Sequence, residues 1–289
     1  MFTAVMIAQP GALNSKSVET AHSKLEGGGI RVLSEGEACE FPVGRMPKEG
    51  DPCIWKALQL DQIDIALVPT ENRRKKILLA DMDSTMIEQE CIDELADFAG
   101  HGDAVKVITA RAMNGEIAFE DALNERVGLF AGMDASVIDQ VINERITFMQ
   151  GGKTLLATMK ANGAYAALVS GGFTDFTSYV AGQLGFDENR ANILLQENGK
   201  LTGKPGLPIL GQQAKVDALE EITTFLNLSE EDVIAVGDGA NDLPMLNRAG
   251  LGVALHAKPS VQEQAAVKLN FADLTGLLFL QGYSVEEFS

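Results

Sequence analysis

The chain has 289 residues, 46% of them hydrophobic, and a formal net charge of −18 from 23 Lys+Arg against 41 Asp+Glu. That length suggests about two domains, and so many apolar residues exclude an intrinsically disordered chain. The acid excess leaves no basic face for a phosphate backbone, which excludes nucleic acid as a partner, so an anionic ligand has to be met by a few local cations or a metal.

The three cysteines, Cys39, Cys53 and Cys91, form no CxxC pair, and an odd, sparse count fits a reducing cytosol better than a disulfide framework. The first lysine is Lys16, so the N-terminus lacks the positive region of a signal peptide. No apolar run approaches the roughly 20 residues that span a bilayer. The expected location is cytoplasmic, with no membrane partner.

In chain order, residues 4–8 form an apolar strand and 15–25 a helix, broken by Gly27-Gly28-Gly29. Strands follow at 30–33 and 38–43, then a helix over 52–60 and a strand over 63–68. The order βαββαβ is the split, ferredoxin-like arrangement, and it resembles the ACT family of small regulatory domains. Residues 1–72 therefore read as a small α+β unit: a packing or homodimerisation module, or an amino-acid sensor. The basic stretch Arg73-Arg74-Lys75-Lys76 reads as a solvated linker. The apolar run Ile77-Leu78-Leu79-Ala80 then has the look of a parallel strand buried on both faces.

Helical periodicity takes over at 91–99, 104–113, 118–130 and 135–149, with glycine at the breaks. Beyond Lys153 the pattern alternates: helix 154–161, strand 164–169, helix 174–184, a hairpin-like segment 192–201, helix 212–225, strand 233–236, helix 244–249, strand 252–254 and a terminal helix. Strands alternating with helices imply a doubly wound parallel α/β sheet. This core would cover 73–91 and 151–289, with 92–150 inserted as a helical cap. Ligands of such sheets sit beyond the carboxyl ends of the strands.

Three strand ends carry polar residues. The first is Asp81-Met82-Asp83-Ser84-Thr85, whose two carboxylates suit a hard divalent cation, although a DxD triplet alone is equally a pair of solvated turn residues. The second, Ser170-Gly171-Gly172, offers a hydroxyl and close backbone N–H groups to a phosphate, or is an ordinary turn. The third is Gly237-Asp238-Gly239-Ala240-Asn241-Asp242, which lacks the third glycine of a dinucleotide fingerprint. Lys215, on the helix before the strand at 233, adds a cation or is a surface lysine. Gly151-Gly152-Lys153-Thr154 is no P-loop, because Thr147 stands where its first glycine belongs, and His22, His101 and His256 show no metal spacing.

Together, Asp81-Met82-Asp83-Ser84-Thr85, Ser170, Lys215 and the segment from Gly237 to Asp242 resemble, in order, the four motifs of the haloacid dehalogenase superfamily. Within it, the DxDST form, the SGGF stretch at 170–173 and GDGANDLPML at 237–246 resemble the phosphoserine phosphatases. The likeness covers about residues 75–285. It implies Mg²⁺-dependent hydrolysis of O-phospho-L-serine, the last step of serine synthesis, with Asp81 as nucleophile and Asp83 as general acid and base. Mg²⁺ would be held by Asp81, Asp238 and the backbone carbonyl of Asp83, with Asp242 supporting it directly or through water. Ser170, the Gly171 N–H and Lys215 would hold the phosphoryl group, and Asn241 would contact it or orient Lys215. Glu90 would bind the amino group of the substrate and Arg126 its carboxylate, with Met113 and Phe119 lining the pocket. Arg111 and Arg145 lie in the same region, and only the resemblance prefers Arg126. An alternative with the same chemistry passes the phosphoryl group to another alcohol, such as homoserine. A P-type ATPase would need membrane helices, and a dehalogenase has no use for the full Mg²⁺ set.

Overall fold

A computed structural model describes residues 1–47, 54–114 and 116–289, the side chains of Ile54 and Met113 apart. Cys53, the start of the helix expected over 52–60 and the Met113 side chain thus lie outside the described residues.

The N-terminal unit comprises β1 (Phe2–Ala8), α1 (Ser15–Lys24), β2 (Arg31–Ser34), β3 (Ala38–Pro42), α2 (Ile54–Leu60) and β4 (Ile63–Pro69). Its strands form an antiparallel sheet in the order β2-β3-β1-β4. Alternation along β1 explains its two contacts, since successive side chains face opposite ways. Ala4, Met6 and Ala8 pack with Ala21 and Leu25 of the α1 segment, whereas Val5 and Ile7 join the main core beside Leu277 and Leu280.

The core sheet runs β12-β11-β10-β5-β6-β7, with every neighbouring pair parallel. In chain order its strands are β5 (Ile77–Ala80), β6 (Tyr165–Phe173), β7 (Glu188–Asn192), β10 (Val233–Gly237), β11 (Leu251–Leu255) and β12 (Val267–Leu269). Leu78 and Ala80 enter the cluster on one side of the sheet, while Ile77 and Leu79 enter the cluster on the other. A strand covered on both faces has to be a continuous apolar run, which is what Ile77-Leu78-Leu79-Ala80 supplies. Helices α7 (Gly152–Ala161), α8 (Thr174–Leu184), α9 (Gln212–Leu226), α10 (Leu243–Arg248), α11 (Pro259–Gln262) and α12 (Gly276–Leu280) surround it.

Between β5 and α7 the described residues form four helices: α3 (Cys91–Phe98), α4 (Gly102–Met113), α5 (Phe119–Gly128) and α6 (Val137–Arg145). The chain enters and leaves this insertion side by side. Glu88 N–H donates to the Thr147 carbonyl at 3.0 Å and Met149 N–H to the Met86 carbonyl at 3.0 Å. For that reason the helix expected over 135–149 stops at Arg145, since residues 146–149 are extended to make the pairing. The hairpin β8 (Leu194–Glu197) and β9 (Lys200–Pro205) reaches over to the insertion, where Gly132 N–H donates to the Leu201 carbonyl at 2.8 Å.

Two strands differ from expectation. The edge strand β7 carries Glu188-Asn189-Arg190-Ala191-Asn192, with Glu188, Asn189 and Arg190 half-buried and Asn192 buried; its polar residues give no apolar run, and the hairpin begins two residues later than expected. The segment read as one terminal helix contains α11, β12 and α12, and β12 spans only three residues, too few to show a period.

At the junction of the two sheets, Asp64 of β4 is 1% exposed and accepts backbone N–H bonds from Asn270, Phe271 and Ala272 at 2.9, 2.9 and 3.0 Å. Arg73 donates to Glu40 at 2.7 Å and to the carbonyls of Phe279 and Leu280. Among the described residues no helix is long and apolar enough to cross a membrane.

Candidate active site

Adjacent strands β10, β5 and β6 bring the three polar strand ends together at one edge of the core sheet. Asp81 follows β5 directly and is 5% exposed. Its Oδ1 accepts from the Met82 N–H at 2.8 Å and from Lys215 Nζ at 2.7 Å. Lys215, in the first part of α9, is 1% exposed, and its Nζ also bonds Asp242 Oδ1. This is a buried cation held by two carboxylates, not a surface lysine. Burial alone would lower its pKa, but the charges of Asp81 and Asp242 outweigh that and hold it above the ordinary lysine range.

Asp242 is fully buried, and its Oδ2 accepts the Gly239 N–H at 2.9 Å. The side chain lies across Gly237, where an added Cβ would collide with it, so the turn after β10 requires that glycine. Asp238 is half-buried and receives the Thr85 hydroxyl at 3.3 Å. Burial, then the charge of Asp242, pushes the Asp238 carboxyl up to about 6. Asp81 is raised as well, first by burial and then by Asp242, against the pull of Lys215. Asp83 Oδ1 is buried without a hydrogen-bond partner, and burial followed by the Glu90 charge pushes that carboxyl up to about 7.

Oxygen atoms of Asp81, Asp238 and Asp242 lie within 4.8 Å of one another. With Asp83, four carboxylates stand near Lys215, the one ammonium among the described residues that bonds any of them. The surplus negative charge and the all-oxygen donor set fit a hard divalent cation, which usually takes one or two carboxylates with water and phosphate.

On β6 the pairing with β7 slips between Val169 and Phe173, so the three residues Ser170-Gly171-Gly172 bulge from the ladder. The Gly172 N–H donates to Ser170 Oγ at 2.9 Å, which leaves the Ser170 hydroxyl proton free for a ligand. Phe119 of α5 lies over this bulge: a Cβ on Gly171 would sit 3.4 Å from its ring, and one on Gly211 3.5 Å. Asn241 is exposed at the tip of the β10 turn. The side chains bonded to Lys215 are Asp81 and Asp242, so they do the orienting for which Asn241 was one candidate.

After Asp83 the chain turns back through Ser84, whose φ of 53° is left-handed, and Ser84 Oγ donates to Glu90 Oε1 at 2.7 Å. Burial raises the Glu90 carboxyl, while Ser84, Lys258 and Arg126 oppose the shift. Arg126 is half-buried, and its guanidinium sits in the fields of Asp93 and Glu90. By contrast Arg111 and Arg145 are taken up in pairs with Glu125 at 2.7 Å and Glu94 at 3.3 Å. The geometry thus separates three arginines that composition alone leaves equivalent. Two residues of this region carry no motif signal: Asp93 beside Arg126, and Asn192, which bonds the Gly171 carbonyl at 2.9 Å.

A buried carboxylate bonded to a buried lysine, within an acidic cluster at the carboxyl edge of a parallel sheet, fits a hydrolase that handles phosphoryl groups. A family model described as haloacid dehalogenase-like hydrolase matches residues 78–247, and the chain belongs to that family. A probable phosphoserine phosphatase of Schizosaccharomyces pombe is 45% identical over 220 residues, covering 75% of this chain and 74% of the relative. A solved haloacid dehalogenase family hydrolase from Salmonella enterica serovar Typhi superposes with a TM-score of 0.84 at 29% identity, covering 96% of this chain and 98% of its own. The unliganded probable phosphoserine phosphatase of Vibrio cholerae gives 0.79 at 30% identity over 99% of this chain and 88% of its own. Both structural likenesses therefore extend across the N-terminal sheet.

Proposed function

We propose that the chain hydrolyses O-phospho-L-serine to L-serine and phosphate through an aspartyl-phosphate on Asp81. The observation that carries this reading is the set of carboxylates Asp81, Asp238 and Asp242 gathered around Lys215 at the strand ends. The relative from S. pombe, named as a probable phosphoserine phosphatase, supports the substrate.

In the first step the Asp81 carboxylate attacks phosphorus, and the bond from phosphorus to the serine oxygen breaks as the new one forms. Asp83, whose carboxyl is pushed up to about 7 by burial and the Glu90 charge, gives its proton to the departing oxygen. In the second step Asp83, now a carboxylate, takes a proton from a water that attacks phosphorus, and the bond to Asp81 breaks. Lys215, the Ser170 hydroxyl and the Gly171 N–H hold the phosphoryl oxygens, and Asn241 contacts them from the β10 turn. Asp81, Asp238 and the Asp83 carbonyl are the residues that would hold Mg²⁺, with Asp242 directly or through water. A bound Mg²⁺ supplies charge neutralisation for the phosphoryl oxygens and keeps Asp81 ionised.

Glu90 binds the amino group of the substrate and Arg126 its carboxylate, for which a planar guanidinium offers two parallel donors. The half-buried setting of Arg126 among Asp93 and Glu90 supports the assignment. Residues 1–72 form an ACT-like unit, 73–91 with 151–289 the phosphatase core, and 92–150 a cap. Two copies pair through the N-terminal sheet, where edge strand β2 leaves Val32 55% exposed. The location is cytoplasmic, in keeping with the buried, unpaired Cys39 and Cys91.

Phosphate release from L-phosphoserine, phosphothreonine, phosphotyrosine and a sugar phosphate, with Mg²⁺ and with EDTA, tests the reading. Turnover of phosphoserine alone, dependent on Mg²⁺, is the expected result. Turnover of the sugar phosphate without phosphoserine would overturn the roles of Glu90 and Arg126. Capture of most of the phosphate by added homoserine would make the protein a phosphotransferase.

A further inference from the structure

Asn192 ends β7 opposite Phe173, at the place where the β6 bulge returns to the ladder. It is 1% exposed, and its carboxamide makes three bonds: Nδ2 donates to the Gly171 carbonyl at 2.9 Å and the Leu210 carbonyl at 3.1 Å, while Oδ1 accepts the Leu210 N–H at 2.7 Å. A buried amide so well satisfied is by itself a packing feature. Its partners set it apart. Gly171 lies in the phosphate-facing bulge, and Leu210 stands two residues before α9, the helix that carries Lys215.

The peptide between Gly171 and Gly172 is gripped at both ends. Its carbonyl is held by Asn192, and its N–H donates to Ser170 Oγ at 2.9 Å. Because a peptide unit is planar, fixing the carbonyl fixes the N–H, and that N–H fills one lone pair of the Ser170 hydroxyl. The remaining direction for the hydroxyl proton is set accordingly. We propose that Asn192 is a positioning residue: through the 171–172 peptide it aims the Ser170 hydroxyl, and through Leu210 it keeps that hydroxyl in register with the helix of Lys215. It touches no substrate atom and acts through Ser170. The inference rests on the reading of Ser170 as a phosphate ligand.

The test measures the affinity of the Mg²⁺-loaded protein for inorganic phosphate by calorimetry, together with kcat and KM for phosphoserine, in a cycle of Asn192→Ala, Ser170→Ala and the double variant. The expected result is that Asn192→Ala weakens phosphate binding about tenfold and lowers kcat by a similar factor, yet changes either by less than about twofold once Ser170 is already alanine. Equal factors in both backgrounds would reduce Asn192 to a structural role and overturn the proposal. If Ser170→Ala leaves phosphate affinity unchanged, the reading of Ser170 itself fails; if Ser170→Ala weakens binding and Asn192→Ala does not, only the positioning role fails. Should Asn192→Ala not fold, Asn192→Asp takes its place. That variant keeps the volume and the acceptor for the Leu210 N–H, and loses the bonds donated to Gly171 and Leu210.

Discussion

Asp64, at the junction of the two sheets, is as deeply buried as Asp81 at the end of β5, and burial raises the pKa of both. Their surroundings differ in kind. Asp64 is closed off by three backbone N–H donors, and nearby Glu40 is matched by Arg73 and Arg31. At the strand ends, Lys215 bonds two of the four carboxylates, Asp81 and Asp242, and Asp83 Oδ1 is buried without a hydrogen-bond partner among the described residues. A buried carboxylate whose oxygens are both met by donors holds structure, whereas a carboxylate cluster short of positive charge fits a site for a cation. A raised pKa does not tell the two apart. The donors on the carboxylate itself do.

The contrast is broken most sharply by removing each aspartate. Asp81→Asn is expected to lower turnover about 10⁴-fold or more while the urea midpoint stays near wild type, read by phosphate release and an unfolding curve. Asp64→Ala should do the reverse. It leaves three N–H groups unpaired, that of Ala272 buried, and costs about 3–5 kcal/mol of stability in urea unfolding, with kcat of the folded protein within about twofold of wild type.

Substrate recognition gives a smaller effect. Arg126→Ala or Glu90→Gln should raise KM for phosphoserine by roughly 10–100-fold and leave hydrolysis of p-nitrophenyl phosphate, which has no amino-acid head, little changed. Steady-state kinetics on the two substrates reads the difference.

Metal removal and pH give the smallest effect. Without a cation, the folded-state pKa of Asp238 lies at about 6, above the unfolded carboxylate value of about 4. A group raised in this way contributes stability that is present below about pH 4 and lost as pH climbs through about 6. Mg²⁺ should offset that loss, so its effect on Tm is expected to be near zero at pH 5 and roughly 2–4 °C at pH 7.5. Thermal melts with Mg²⁺ and with EDTA at the two pH values check this. A shift equal at both would remove the unsatisfied carboxylates from the explanation.

Much of the site could be read before the fold was known, because the core strands are continuous apolar runs that end abruptly in polar residues. Asp81 and Ser170 stand directly after such a run and Asp238 one glycine beyond, and position alone puts them at one edge of a parallel sheet. Lys215 is different. It sits on a helix whose spacing does not distinguish a buried lysine from a surface one, and its role emerges only when α9 lays it between Asp81 and Asp242. Asn192 gave no signal because β7 is a polar edge strand and its bonds span 18 and 21 residues. Asp93 was silent for the same reason, since the Arg126 it faces is distant in sequence. The Asp64 anchor was equally invisible, as its donors are backbone N–H groups more than 200 residues downstream.

The central claim is that the open acidic cluster exists to make and break a phosphate bond on Asp81. Acid quenching of the Mg²⁺-loaded protein during turnover of phosphorus-labelled L-phosphoserine, followed by peptide mapping, tests it most directly. The account predicts label on the peptide containing Asp81, formed at least as fast as steady-state turnover and absent from Asp81→Asn. Rapid phosphate release with no labelled peptide, or label that persists in Asp81→Asn, would contradict it.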